Sequence, residues 1–182
     1  MKTILSLAVM GLLLCNQPSF AQTYGFNSYT AQLTSIQPLG ADKNSQKELI
    51  CMSLNIYHEA RGTSVANQTG VAHVTKNRQK QRKMSICDVV FEQKGRSAQF
   101  TWSNKPGVKN RRLEIEAWDR AQEIAYQVMY TKTSDITRGA TYFHEKNVRP
   151  SWASRARDKT QIGAHVFIRL EEVAEARSVV LP

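Results

Sequence analysis

The stretch that most constrains this chain is an apolar helical run that ends in a charged corner. Apolar residues recur at steps of three and four between Leu49 and Ile56, which predicts a buried helix that begins near residue 45 and stops at Gly62. Glu59 then falls in the last turn of this helix. A carboxylate in such a place costs free energy unless it is paired, hydrated or used in chemistry.

Three interpretations of Glu59 follow from its neighbours. A zinc-protease helix needs the pattern H-E-x-x-H, and "HEARG" has no second histidine, so that interpretation fails. A glutamate that only pairs with Arg61 at a helix end is the ordinary structural alternative. The third interpretation is a general acid. In an apolar cleft lined by Ile56, Tyr57 and aromatic residues of later loops, burial keeps the carboxyl protonated near neutral pH.

A second carboxylate is not marked by the sequence. Glycosidases often use two. The candidates are scattered and none has a distinctive neighbourhood: Asp88, Glu92, Asp119, Glu145 and Asp158. If Glu59 acts alone, a hydroxyl of the substrate itself can be the nucleophile, which suits a lytic transglycosylase better than a hydrolase.

Residues 1–21 predict a signal peptide. Lys2 supplies a positive start, "ILSLAVMGLLL" is an apolar run too short to span a bilayer, and "SFA" offers small residues for cleavage before Gln22. Lipidation of Cys15 is the alternative, which the leucine before it disfavours. In both cases we expect an exported protein of the periplasm or cell envelope, or an extracellular one, without a membrane span in its mature part.

The mature chain is strongly basic. Only Lys2 of the 25 Lys and Arg residues lies in the signal, so 24 basic residues face 15 acidic ones, a net charge of +9. In an exported protein this charge favours anionic envelope polymers over nucleic acid, so we expect no nucleic-acid partner. The alternative for any single basic cluster is a solvated surface.

Two cysteines, Cys51 and Cys87, remain after the signal. An even count in an oxidising compartment predicts one disulfide, which closes a loop of about 36 residues and stabilises the fold by roughly 3–4 kcal/mol. Two buried free thiols are the alternative. Neither cysteine has a partner at zinc-ligand spacing and the four histidines are scattered, so we expect no metal and no other cofactor.

The remaining pattern places helices first and strands last. Residues 22–44 lack a hydrophobic period and predict a flexible arm, which leaves 45–182 for the globular domain. A second helix is expected over 65–80, capped by Thr63-Ser64, and a third over about 113–130. The expected buried stripes are Val65, Thr69, Ala72 and Lys76 on the second helix, and Trp118, Ala121, Ala125 and Val128 on the third.

The end of the chain predicts two short strands. The segments "ATYFHE" (140–145) and "AHVFIRL" (164–170) alternate in polarity, around an irregular loop "RPSWASRARDKTQIG". Helices followed by a small β-hairpin give an α+β single domain.

Several separated motifs resemble one known family. The segments "IYHEARGTSVANQTGVAHVTKNR", "SICDVV", "QFTWS", "GATYFHEKNVRPSWA" and "IGAHVFIR" occur in this order between about Leu49 and Arg169. Together they resemble the SleB/CwlJ-type cell-wall hydrolases, the family named for spore-cortex-lytic enzymes. The resemblance implies a lysozyme-like, lytic-transglycosylase-related fold that cleaves peptidoglycan glycan strands between N-acetylmuramic acid and N-acetylglucosamine.

The resemblance also implies roles for single residues. Glu59 matches the glutamate of the family's "EARGE" motif, which is taken as the catalytic acid, and Gln68 matches the glutamine of its "GQ" pair. The chain departs from the family at Thr63, where a second glutamate is usual, and at Asn67, where glycine is usual. Residues 77–78 match the family's "NR".

A polar-aromatic loop is a candidate for binding sugar. Gln99, Thr101 and Trp102 offer hydrogen bonds and an aromatic face, although Phe100 and Trp102 can equally belong to the core. Further along, Tyr142 and His144 share one face of a strand and Phe143 takes the other. Packing is again the alternative for these two.

Two later residues complete the set of candidates. Trp152, in an arginine-rich loop, can stack on a sugar ring, whereas His165 fits a hydrogen-bonded strand histidine better than a ligand.

The leading hypothesis is an exported, monomeric peptidoglycan-cleaving enzyme, a lytic transglycosylase of the muramidase type that leaves a 1,6-anhydromuramyl end. An N-acetylmuramoyl-L-alanine amidase, usually a zinc enzyme, is the nearest enzymatic alternative. A non-catalytic envelope-binding protein is the alternative from another class, since a basic surface and aromatic loops suffice for it. The expected partner is the glycan strand of peptidoglycan, and a regulatory envelope protein is left open.

Overall fold

Helices come first and a small sheet comes last in this computed structural model, which describes residues 42–94, 97–108 and 113–170. This order confirms the predicted α+β single domain. The predicted signal over 1–21 and the arm over 22–44, except its last three residues, lie outside the described residues. The division of the chain at residue 45 stays a prediction, although the first helix already begins at Lys43.

Four helices form the first part of the domain within the residues that the structure describes. They are α1 (Lys43–Ala60), α2 (Val65–Arg82), α3 (Ile86–Phe91) and α4 (Ile115–Tyr130). The first three helices are each capped at the N-terminus by a side-chain oxygen that accepts the backbone N–H three residues further on. The capping residues are Asp42 for α1, Ser64 for α2 and Ser85 for α3. The face predicted for α4 is buried as expected, and it packs on α1 and α2.

The stripe predicted for α2 is buried only in part: Ala72 is fully buried, whereas Thr69 and Lys76 are half-buried. Val65 is 56% exposed, and the buried residues of this helix include polar side chains such as Asn67, Gln68 and Arg78. α2 contacts α1, α3, α4 and the sheet, so most of its circumference is covered. A helix buried on several sides has no single apolar stripe, and its polar side chains are buried with hydrogen-bond partners.

Cys51 on α1 and Cys87 on α3 form a disulfide, which confirms the predicted pairing. Their Cα atoms lie 5.2 Å apart and both residues are fully buried. The bond therefore ties the helix that carries Glu59 to the short helix after α2.

The sheet contains one strand more than the sequence predicted. Two-residue strands β1 (Gln93–Lys94) and β2 (Ser97–Ala98) pair with each other, and the main antiparallel sheet follows with β3 (Tyr142–Glu145), β4 (Ala156–Ile162) and β5 (His165–Leu170) in the order β3-β5-β4. β4 lies within the segment predicted as an irregular loop. It is an edge strand that alternates half-buried and exposed residues, so it carries charges where a central strand carries apolar residues.

α2 lies unusually close to β5. A Cβ atom added at Gly70 would lie 2.5 Å from Cζ of the Phe167 ring, closer than real Cβ contacts come. Only glycine leaves room for the ring against the helix. This contact fixes the distance between α2 and the sheet.

The corner between α1 and α2 is also joined to the sheet. Oδ1 of Asn67 accepts the backbone N–H groups of Ala164 and His165, each at 3.1 Å, in the turn between β4 and β5. Its Nδ2 donates to Oγ1 of Thr63, and that hydroxyl donates to the carbonyl of Ala60. Thr63 and Asn67, the two departures from the family motifs, thus hold the corner that follows Glu59.

Candidate active site

Glu59 sits at the end of α1 and lines a cleft of about 370 Å³ between the helices and the sheet. The other walls come from α2, from residues 99–101 at the start of the 3₁₀ turn Thr101–Asn104, from β3, from the 3₁₀ turn Ser151–Arg155 and from the end of β5. They are formed by Arg78, Gln99, Phe100, Thr101, Tyr142, Phe143, Trp152, Arg155 and Leu170.

Burial raises the pKa of Glu59 from its ordinary 4.5 to about 7. The positive charges of Arg78 and Lys105 lower this pKa, but their effect is smaller than that of burial. Near neutral pH a large fraction of the carboxyl groups therefore carries a proton. This is the state that a general acid needs before it acts.

Glu59 does not form the ion pair with Arg61 that was its structural alternative. Nε of Arg61 instead donates to Oε1 of Glu114 at 3.2 Å, and its guanidinium lies 4.9 Å from the centroid of the Tyr57 ring. Of the residues expected to line the cleft, Ile56 and Tyr57 are buried in the helical core, whereas the aromatic residues of later loops do line it.

Arg78 is the buried cation of the site. Its Nε donates to the carbonyl of Thr141 at 2.6 Å, and its guanidinium lies 4.9 Å from the centroid of the Phe100 ring and 5.5 Å from that of Tyr142. Burial lowers the pKa of Arg78 to about 10, so it remains charged at neutral pH. The side-chain amide of Gln99 can bond to both Glu92 and Arg78 in one orientation. In that orientation the amide oxygen of Gln99 accepts from Nη1 of Arg78 at 3.3 Å.

The neighbouring Asn77 positions the loop that leads into β3. Its Nδ2 donates to Oδ2 of Asp135 at 2.8 Å and to the carbonyl of Ala140 at 3.0 Å. Asp135 also accepts the backbone N–H groups of Thr137 and Gly139. Burial alone would raise the pKa of Asp135, but the hydrogen bonds from Asn77, Thr137 and Gly139 together outweigh it and lower the pKa, so this loop is held by an ionised carboxylate.

An aromatic surface lies across the cleft from the acid. The rings of Tyr142 and Trp152 have centroids 5.5 Å apart, and the ring of His144 packs edge-on to Trp152 at 5.8 Å. Tyr142 and Trp152 are half-buried and so keep exposed faces. Aromatic faces of this kind suit the apolar side of a sugar ring.

The structure brings four predicted substrate-binding residues together with Glu59: Gln99, Thr101, Tyr142 and Trp152. His144 lies beside this group, against Trp152. Trp102 and Gln68 do not line the cleft. Trp102 is 5% exposed, stacks on His58 and donates to Oδ1 of Asn55 at 3.0 Å. It therefore packs against α1 and belongs to the core.

Gln68 is 1% exposed, and its Nε2 donates to the carbonyl of Thr63. It therefore holds the α1–α2 corner. Two charged residues of the cleft, Arg78 and Arg155, were not among the predicted site residues, nor were Phe100, Phe143 and Leu170. The "NR" motif could have identified Arg78 as a site residue. For Arg155 the only sequence feature was its position in an arginine-rich loop.

Within the described ranges, Glu59 is the only carboxylate that lines the cleft. The other acids considered as a second catalytic group lie elsewhere. Glu92 pairs with Arg82 and Asp158 with Arg169, and Asp88 and Glu145 are exposed. Asp119 accepts from Gln122 on α4.

The described residues contain no group of three or more His, Cys, Asp or Glu side chains that could hold a metal ion. No helix in the same part of the chain is long and apolar enough to cross a membrane.

The chain belongs to the cell wall hydrolase family, whose model matches residues 62–168. The match confirms the resemblance and includes all the candidate substrate-binding residues, and it begins three residues after Glu59. Family membership makes this a peptidoglycan-degrading enzyme with a function at the cell envelope. No curated protein and no solved structure matches the chain, and the lysozyme-like relationship stays a prediction.

Proposed function

We propose that this enzyme cleaves the glycan strand of peptidoglycan between N-acetylmuramic acid and N-acetylglucosamine as a lytic transglycosylase, with Glu59 as its general acid. The observation that carries the proposal is that, among the described residues, a single carboxyl lines the cleft, with its pKa raised to about 7 by burial. A carboxyl of this kind can give a proton to a leaving oxygen at the pH where the enzyme works.

The reaction needs only one carboxyl group. Glu59 gives its proton to the glycosidic oxygen as the bond from that oxygen to C1 of the muramyl residue breaks. The C6 hydroxyl of the same sugar then bonds to C1 and returns its proton to the Glu59 carboxylate. No water is consumed, the product is a 1,6-anhydromuramyl end, and Glu59 regains the state in which it began.

The charge of Arg78 supports the first half of this cycle, and the burial of Glu59 supports the second. A cation near Glu59 favours the carboxylate that forms after proton donation, while burial favours the acid that precedes it. The opposing effects leave the pKa of Glu59 close to neutrality, where donation and recovery of the proton both remain accessible.

The aromatic side of the cleft supports sugar binding. Phe100, Tyr142 and Trp152 supply ring faces, and Gln99 and Thr101 supply hydrogen-bonding groups beside Glu59. His144 supports the orientation of Trp152 by packing against it. A sugar held against these rings has one edge toward the acid.

Digestion of purified sacculi tests the proposal. In water enriched in ¹⁸O, a transglycosylase releases muropeptides that are lighter by one water than the hydrolysed products and carry no label. A hydrolase instead places ¹⁸O at C1 of the new reducing end. Mass spectrometry of the released muropeptides therefore distinguishes the two reactions in one experiment, with Glu59→Gln as the inactive control.

The two alternative functions have their own outcomes in this assay. Released peptides without sugar, together with loss of activity on chelation, would indicate an amidase. Sedimentation with sacculi and no soluble product would indicate a binding protein. Either result would overturn the proposed transglycosylase.

A further inference from the structure

A second, strongly basic cavity adjoins the candidate active site. It has a volume of about 670 Å³, and it shares Tyr142, Arg155 and Leu170 with the cleft that contains Glu59. The two cavities are therefore parts of one continuous surface that meet at these three residues. We call the second cavity the basic groove.

Positive side chains dominate the basic groove. Lys80 on α2, Arg155 and Arg157 around the start of β4, and Arg169 on β5 all line it. No aspartate or glutamate is found among its lining residues in the part of the chain that the structure describes. Arg169 is paired with Asp158, whereas Lys80, Arg155 and Arg157 are exposed. Such a surface attracts anions, and arginine matches carboxylates and phosphates with two parallel hydrogen bonds.

Continuity with the cleft limits what this anion can be. Tyr142 lines both cavities, so a group attached to a sugar that binds beside Tyr142 has the basic groove within reach. In peptidoglycan, the lactyl group of muramic acid carries a short peptide with free carboxylates. The stem peptide is the anionic group that is covalently linked to the glycan strand at each muramyl residue.

We propose that the basic groove binds the carboxylates of the stem peptide next to the cleaved bond. The inference rests on the proposed function because it places a muramyl residue in the cleft. It adds that the enzyme prefers muramyl residues with a stem peptide over naked glycan. Phosphate of an anionic wall polymer has similar chemistry, and the binding measurement below, with inorganic phosphate as one ligand, separates it from the stem peptide.

The double variant Lys80→Gln/Arg157→Gln tests the groove without touching the cleft. Both side chains are exposed and line the groove alone, so we expect folding and thermal midpoint to be unchanged. Neither residue is among the groups that set the pKa of Glu59, so kcat should also stay unchanged. The matched control is Arg120→Gln/Lys132→Gln, which removes the same charge from exposed positions away from the groove.

Two substrates separate the outcomes: glycan strands with their stem peptides, and the same strands after an amidase has removed them. On stem-bearing strands we expect KM of the double variant to rise about five- to twentyfold, while the control remains at the wild-type value. On stem-free strands the wild type and the double variant should be equal. Equal KM values on stem-bearing strands, or an equal loss on both substrates, would overturn the inference.

A binding measurement decides the inference even if the proposed reaction is wrong. A soluble stem peptide is titrated into the folded wild type and the double variant by calorimetry, beside the same peptide with its carboxylates amidated and beside inorganic phosphate. Binding of the free-carboxylate peptide that the double variant and amidation both weaken supports the inference. Failure of that peptide to bind, or binding of phosphate alone, overturns it. Failure of the proposed function appears separately, as wild-type protein that releases no anhydro products from either strand.

Discussion

Asn67 and His165 lie 98 residues apart in the chain and hydrogen-bond to each other twice. Nδ2 of Asn67 donates to Nδ1 of His165 at 2.7 Å, and Oδ1 of Asn67 accepts the backbone N–H of His165 at 3.1 Å. The first bond requires Nδ1 to be an acceptor, so the imidazole is neutral with its proton on Nε2. Burial lowers the pKa of His165, in agreement with a neutral ring.

Asn67→Ala should destabilise the protein by about 2–4 kcal/mol. The substitution removes the acceptor for two backbone N–H groups and both side-chain bonds, in a place where Asn67 is fully buried. Urea denaturation measures the difference. Asn67→Asp is a comparison that keeps the acceptor oxygens, so it should lose less. A change below about 0.5 kcal/mol for Asn67→Ala would contradict the role given to this residue.

Glu59→Gln should reduce turnover of sacculi by about 10²–10⁴-fold while the protein stays folded. The amide keeps the shape of the side chain but has no proton to give to the leaving oxygen. Glu116→Gln, an exposed position on α4, removes the same charge as a control and should keep wild-type turnover. Turnover of Glu59→Gln within a few fold of wild type would remove this residue from the mechanism.

The stability of wild-type protein relative to Glu59→Gln should fall as the pH rises between about 4.5 and 7. The folded state raises the pKa of Glu59 from 4.5 to about 7, so in this range it holds a proton that the unfolded chain has released. Ionisation of the buried carboxyl above pH 7 then costs on the order of 3 kcal/mol relative to acid conditions.

Denaturation of both proteins at a series of pH values measures this effect. We expect the free energy of unfolding of the wild type to fall relative to that of Glu59→Gln as the pH rises, and the difference to become constant above about pH 8. A difference that does not change with pH would show that the pKa of Glu59 is not raised in the folded protein.

Gly70→Ala should destabilise the protein by about 1–2 kcal/mol, because overpacking against Phe167 outweighs the better helix propensity of alanine. Gly62→Ala is the matched control, since nothing lies within 4 Å of a Cβ atom at that position. The thermal midpoint of each variant reports the effect. Combining Gly70→Ala with Phe167→Leu should recover part of the loss, and strictly additive losses would argue against the contact.

The sequence predicted the helices and the acid because their signals are local. The three- and four-residue spacing around Leu49 and Ile56 belongs to one helix, and the position of Glu59 follows from where that helix stops. The pairing of Cys51 with Cys87 followed from an even count. These features need no knowledge of what packs against them.

The features that the sequence missed depend on tertiary contacts. β4 is a strand because β5 pairs with it, and its own residues, "ARDKTQI", carry no apolar period. Trp102 resembles a sugar-binding residue in its loop, but Asn55 and His58 on α1 bury it. Arg78 enters the site because α2 is covered on several sides, which its weak periodicity could not predict.

The disulfide has a topological consequence for the candidate active site. Glu59, Asn67, Gly70 and Arg78 all lie between Cys51 and Cys87, within one covalently closed ring of the chain. A protease that cuts once at the exposed corner between α1 and α2 opens this ring but does not divide the molecule. The helix with the acid and the helix with its buried cation remain tethered, and the nicked chain can keep both in place.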